Sequence, residues 1–98
     1  MKEMPEMTLE RETQILEGAI KKWGPEAQIV VAIEEMAELT KALTKYLRYG
    51  EISPVMENLK SEMADVSIML NQLVLIFGPP DDEEIEKLER LERRLQDD

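Results

Sequence analysis

Glycine and proline occur close together at three places and divide the chain into four segments. The breaks are Gly24-Pro25, Gly50 with Pro54, and residues 78–80. Both residue types mark helix ends and helix starts, so each break indicates a helix boundary. Between the breaks, apolar residues recur every three or four positions, and the alternation typical of strands is absent. The sequence therefore predicts an all-α fold with helices over residues 9–23, 25–49, 54–77 (with Ser53 as the N-cap) and 81–96.

The chain is short and strongly acidic. Its 98 residues allow one domain, and 22 acidic against 12 basic side chains give a formal net charge of −10. Such a surface repels phosphate backbones, so we expect no nucleic-acid polymer as a partner. The chain has neither cysteine nor histidine, which excludes thiolate and imidazole chemistry and leaves carboxylates, lysines, arginines and hydroxyls.

No segment of the sequence is typical of a secretory or membrane protein. Residues 1–6 contain no apolar run of signal-peptide length. The longest apolar stretch, residues 73–77, is far too short to span a bilayer. We therefore expect a cytoplasmic protein without a membrane partner.

The apolar pattern predicts which helix faces are buried. One stripe runs along the second segment, comprising Ile29, Ala32, Ile33, Met36, Leu39, Leu43, Tyr46 and Leu47. A heptad-like seam runs along the third segment, comprising Leu59, Met63, Val66, Leu70, Leu73 and Phe77. The third segment is apolar on nearly all sides, and a domain of this size buries a limited share of its surface. We therefore expect a four-helix bundle-like protomer that completes its core by forming a homo-oligomer, a dimer or a tetramer, through helix 54–77.

Five carboxylates form two groups on the two central helices. The first group is Glu34, Glu35 and Glu38, and the second is Glu62 and Asp65. Helical spacing places the members of each group on adjacent turns, and the groups can face each other if the helices run antiparallel. Converging carboxylates repel one another unless protons or an ion lie between them, and Mg²⁺ prefers oxygen ligands. The pattern predicts a site for one or two Mg²⁺ ions that act on a phosphate substrate.

A solvent-exposed acidic face is the alternative interpretation of these carboxylates, because acidic residues are abundant in this chain. Two features favour a site. The carboxylate side of the second segment also carries the small apolar residues Val31 and Ala42, and Met69 and Ile76 flank the pair on the third. In addition, like charges one turn apart destabilise a helix by about a few tenths of a kcal/mol, a cost that a bound ion would remove.

The carboxylate pattern resembles that of the MazG-like nucleoside triphosphate pyrophosphohydrolases of the all-α superfamily. The resemblance lies in EExxE (residues 34–38), ExxD (residues 62–65) and the flanks 28–33 and 65–73. It covers about residues 20–78, the core of a single domain of residues 1–98 whose charged C-terminal helix spans 81–96. It implies hydrolysis of a (deoxy)nucleoside triphosphate to the monophosphate and pyrophosphate, with Mg²⁺, or alternatively Mn²⁺, as the cofactor.

The same resemblance implies roles for individual residues. Glu35, Glu38, Glu62 and Asp65 would be the Mg²⁺ ligands, and the catalytic group would be Glu34, Glu35 and Glu38. Glu34 is the candidate for holding a second ion or for positioning the attacking water.

Three further side chains are candidates for contacts with the nucleotide. Lys41 and Lys45 project close to the direction of Glu34 and Glu38 and can reach a triphosphate; ordinary surface charges are the alternative. Trp23 can stack on a base, with a hydrophobic plug at the helix end as the alternative.

Two other functions stay open at this point. A phosphoribosyl-ATP pyrophosphohydrolase would perform the same chemistry on a different nucleotide. A non-catalytic acidic helical interaction module would use its carboxylates only for solubility.

Overall fold

The chain folds into four helices in a computed structural model that describes residues 6–97. The helices are α1 (Leu9–Trp23), α2 (Pro25–Tyr49), α3 (Ser53–Phe77) and α4 (Asp81–Asp97), and no strand occurs among the described residues. The predicted all-α class is confirmed, and each helix boundary lies within about one residue of its prediction.

The three predicted breaks share one helix-ending geometry. Gly24, Gly50 and Gly78 have φ angles of 89°, 78° and 93°, a region that glycine adopts without steric cost. The N–H of each glycine donates to the carbonyl four residues earlier, at 2.8 Å. The predicted N-cap role of Ser53 is wrong, because the helix already includes Ser53 and its N-cap is Ile52.

Helices α2 and α3 form an antiparallel hairpin whose register is defined by a buried hydrogen bond. Gln28 Nε2 donates to Gln72 Oε1 at 2.7 Å, and the two side chains are only 6% and 4% exposed. Because position 28 meets position 72, position 35 lies opposite 65 and position 38 opposite 62. The seam between the helices consists of buried and half-buried residues in four–three spacing: Gln28, Ala32, Glu35, Leu39 and Ala42 on α2, and Leu59, Glu62, Val66, Met69 and Leu73 on α3.

Helix α1 covers one side of this hairpin. Its buried residue Leu16 lies beside Ile68 and Leu75 of α3. Asn71 Nδ2 donates to Glu12 Oε1 at 3.2 Å and links the two helices at the surface. Thr8 caps α1 as its position predicts, since its hydroxyl oxygen accepts from the backbone N–H of Arg11 at 3.1 Å.

The opposite side of the hairpin is apolar, and no other described part of the chain covers it. The predicted α3 seam divides into two stripes: Leu59 and Val66 pack against α2, whereas Met63, Leu70 and Phe77 are 54%, 50% and 71% exposed. The α2 stripe divides in the same way and leaves Ile33, Met36, Leu43 and Leu47 exposed. Within one chain each stripe is therefore buried only in part, because one neighbouring helix covers only one side; burial of the remaining residues by a second copy stays a prediction. We call these seven exposed residues the outer apolar face.

Helix α4 stands apart from the other three helices. Among the described residues, no Cα of α4 lies within 8 Å of a Cα in α1, α2 or α3. None of the helices within residues 6–97 is both long and apolar enough to cross a bilayer.

Candidate metal centre

Three of the predicted carboxylates converge in the structure. Glu35 of α2 and Glu62 and Asp65 of α3 each offer an oxygen, and these oxygens all lie within 4.8 Å of one another. Glu35 and Glu62 occupy seam positions, where a helix hairpin ordinarily places apolar residues. Both side chains are half-buried, so the cluster lies at the edge of the core and not on open surface. We call these three residues the acidic triad.

The triad raises the pKa of Glu35 above its ordinary value of 4.5. Desolvation by the surrounding residues is the largest cause, followed by the negative charges of Asp65 and Glu62. A hydrogen bond with the Asp65 side chain and the charge of Glu38 act in the same direction. The site therefore disfavours a full set of negative charges and would be stabilised by a proton or a cation.

The other two predicted carboxylates lie outside the triad. Glu38 is exposed, yet its charge is close enough to affect Glu35. Glu34 is also exposed, on the side of α2 next to the seam. Of the four residues predicted as metal ligands, the structure brings together Glu35, Glu62 and Asp65 and leaves Glu38 at the rim.

The predicted nucleotide contacts lie on the side of α2 that carries Glu38 (Lys41 and Lys45) or next to it at the end of α1 (Trp23). Positions 27, 31, 34, 38 and 45 follow a helical stripe that lies about 180° from the outer apolar face. Lys41 and Lys45 are exposed near this stripe. Trp23 is 59% exposed and lines a shallow cleft with Ala27, Gln28 and Val31, an exposure that does not fit a hydrophobic plug within the chain. The ammonium group of Lys22 lies 5.2 Å from the Trp23 ring centroid.

Gln28 and Gln72 are the residues near the site that the sequence-based reasoning missed. They align the two helices so that position 35 meets position 65, and so they position the acidic triad. Their spacing in the sequence could have identified them, because each glutamine lies seven residues, or two helical turns, from a triad carboxylate on its own helix.

The triad fits a hard divalent cation by donor type and by spacing. It offers carboxylate oxygens, which Mg²⁺ and Mn²⁺ prefer, and no nitrogen or sulfur ligand. Two ligands of one Mg²⁺, each at about 2.1 Å from the ion, lie at most about 4.2 Å apart. Oxygens already within 4.8 Å of one another need little or no movement to reach that geometry.

Comparisons with known proteins do not assign the chain to a family. No protein-family model matches it, and neither the curated proteins nor the solved structures include a significant match.

Proposed function

We propose that this protein is a Mg²⁺-dependent hydrolase that converts a (deoxy)nucleoside triphosphate to the nucleoside monophosphate and pyrophosphate. The observation that carries the proposal is the convergence of Glu35, Glu62 and Asp65 between α2 and α3, where their oxygens lie within 4.8 Å of one another and can serve as ligands of one cation. The reaction class follows from the resemblance of the EExxE and ExxD patterns to the MazG-like pyrophosphohydrolases.

In this proposal, the acidic triad and the neighbouring carboxylates have separate roles. Glu35, Glu62 and Asp65 hold the cation, and Glu38 completes the ligand set from the rim. The ion supplies charge neutralisation on the phosphoryl oxygens and lowers the pKa of water. Glu34, exposed beside this set, orients the attacking water or holds a second ion.

The α2 stripe at positions 27, 31, 34, 38 and 45 and the residues beside it can bind the triphosphate and the base of the nucleotide. Lys41 and Lys45 provide positive charge for the triphosphate next to a site that is otherwise acidic. The cleft at Trp23 and Gln28 lies about 10 Å from Glu35 along α2, given the rise of a helix. Stacking of the base against Trp23 would therefore place the phosphates toward the triad.

We propose further that the protein is a homo-oligomer joined through the outer apolar face, which includes the Met63, Leu70 and Phe77 stripe of helix 54–77. The chain exposes 8369 Å², whereas a compact monomer of its mass exposes about 5,800 Å². Its radius of gyration is 17.1 Å, against about 12.6 Å for a compact domain of this length. A standard interface needs about 800 Å² from each partner, and the outer apolar face lies away from the triad, so pairing would leave the site open.

Phosphate release from a panel of nucleoside triphosphates tests the proposed reaction. The full chain is incubated with Mg²⁺ and each nucleotide, with and without added inorganic pyrophosphatase. Cleavage between the α- and β-phosphates predicts phosphate only when pyrophosphatase is present. Glu62→Gln should lower the rate by about 100-fold or more, because it removes a charged ligand. Glu17→Gln, an exposed carboxylate of α1, is the matched control and should leave the rate unchanged.

Three other outcomes of this assay would contradict the proposal. Phosphate that forms without pyrophosphatase would indicate cleavage at the γ-phosphate. Turnover confined to phosphoribosyl-ATP would support the second enzyme class. If no nucleotide is hydrolysed and Glu62→Gln has no effect, the non-catalytic acidic interaction module would be the supported function.

A further inference from the structure

Helix α4 carries an apolar stripe that nothing else in residues 6–97 covers. Ile85, Leu88, Leu91 and Leu95 recur at helical spacing and are 55%, 65%, 48% and 73% exposed. Over the described residues, α4 has no close approach to α1, α2 or α3. A helix of 17 residues without packing is marginal in water, so the stripe requires a partner surface.

The charges of α4 are separated along its length. Residues 81–86 carry five acidic and no basic side chains, whereas residues 87–94 carry four basic and two acidic ones. A second α4 in parallel orientation would set acidic halves against each other. In antiparallel orientation, each acidic half lies along the basic half of its partner, and the two helix dipoles also attract. The stripe is therefore complementary to a second copy of itself in one orientation only.

We propose that α4 pairs antiparallel with α4 of a second copy of this chain, through Ile85, Leu88, Leu91 and Leu95. This contact is distinct from the outer apolar face on α2 and α3. A chain that uses both surfaces in separate two-fold contacts forms a closed tetramer when the two axes intersect at right angles, and a longer assembly when they do not. The pairing does not depend on the proposed hydrolysis, so either can fail without the other.

Reversing the charge of one half of α4 tests the pairing. The acid-reversed variant carries Asp82→Lys, Glu83→Lys and Glu86→Lys, and the base-reversed variant carries Arg90→Glu, Arg93→Glu and Arg94→Glu. Each variant alone places like charges together in an antiparallel pair, whereas an equimolar mixture restores opposite charges at both ends. Sedimentation equilibrium of the full chain should show association at least about tenfold weaker for each variant alone, and recovery in the mixture.

The mixture also controls for damage to the helix. Both variants oppose the helix dipole, so circular dichroism is recorded for each, and the mixture contains the same two helices as the separate samples. Glu10→Lys, Glu17→Lys and Glu26→Lys together change the net charge as the acid-reversed variant does, at exposed sites outside α4, and should leave association unchanged. Variants that associate as the wild type does, or a mixture no tighter than its components, would overturn the proposal.

Disulfide crosslinking tests the orientation while keeping the apolar stripe and all but one of the charges of residues 81–94. The chain contains no cysteine, so single substitutions Asp81→Cys and Gln96→Cys introduce unique thiols at the two ends of α4. Antiparallel pairing predicts crosslinks between unlike chains in the mixture. Crosslinks mainly between like chains would show parallel pairing, and none in the mixture would show that α4 docks elsewhere; both contradict the proposal.

Discussion

At the scale of single residues, Glu35 is the most unusual position in the chain. It occupies a seam position between two helices, and its pKa is raised from 4.5 by desolvation first and by neighbouring carboxylates second. The folded state therefore binds more protons than the unfolded state between the two pKa values. Stability from this group is present at low pH and falls as the pH rises from about 4.5 through the folded pKa.

Replacing this carboxylate should remove its pH effect. Glu35→Gln is expected to raise the Tm at pH 7 without divalent ions, and to flatten the decline of Tm between pH 4.5 and 7, because the repelled charge is gone. Thermal denaturation monitored by circular dichroism measures both. Glu17→Gln should change neither, and a Tm lowered by Glu35→Gln would mean that the negative charge is not a cost to the fold.

Divalent cations should stabilise the protein by binding to the acidic triad. Mg²⁺ at about ten times its dissociation constant is expected to add roughly 1.4 kcal/mol to the free energy of unfolding by mass action. Differential scanning fluorimetry with increasing MgCl₂ measures this gain as a rise in Tm. The gain should be lost in Glu62→Gln and kept in Glu17→Gln; equal gains in the two variants would place the ion elsewhere.

Two glycines of the chain should respond in opposite ways to the same substitution. Gly50 has a φ of 78° at the end of α2, so Gly50→Ala should destabilise the protein by about 1–2 kcal/mol. Gly18 lies within α1, and a Cβ there would meet nothing within 4 Å, so Gly18→Ala should stabilise by about 0.5–1 kcal/mol. Urea denaturation measures both, and equal effects would show that φ at position 50 carries no constraint.

At the scale of secondary-structure elements, the sequence predicts the helices well and their packing less well. Boundaries are predictable because glycine and proline act locally, within about a turn of each break. The division of the α3 stripe was not predictable, since Leu59 and Met63 are equally apolar and only the position of α2 buries one and exposes the other. For the same reason the sequence predicts five candidate carboxylates, but only the hairpin register selects Glu35, Glu62 and Asp65.

The glutamine pair makes this register testable. Gln72→Leu should destabilise the protein by about 1–3 kcal/mol, because it leaves the buried Gln28 amide without its hydrogen-bond partner. The double variant with Gln28→Leu should recover much of that loss, since neither amide then lies unpaired. Urea denaturation of the wild type, the two single variants and the double variant gives the interaction free energy by a double-mutant cycle. Strictly additive losses would show that the two amides do not depend on each other.

At the scale of the whole molecule, the chain is more extended than its length requires. Its radius of gyration of 17.1 Å reflects a three-helix unit and a fourth helix that, in the described part of the chain, has no close approach to the other three. Association is thus expected to contribute to folding stability, so a tenfold increase in protein concentration should raise the Tm. Met63→Glu, on the outer apolar face, should weaken this dependence, as measured by scanning calorimetry at several concentrations. A Tm independent of concentration in the wild type would indicate a monomer that tolerates its exposed face.

The carboxylates at seam positions have a consequence for engineering. Leucine at positions 35 and 62 would extend the apolar seam and would be favoured in any selection for thermal stability alone. Such a selection would yield a hairpin that melts later and lacks two of the three carboxylates of the proposed cation site. Substitutions at positions 35 and 62 that raise the Tm would therefore remove the proposed cation ligands, so both the Tm and cation binding must be measured for any engineered variant.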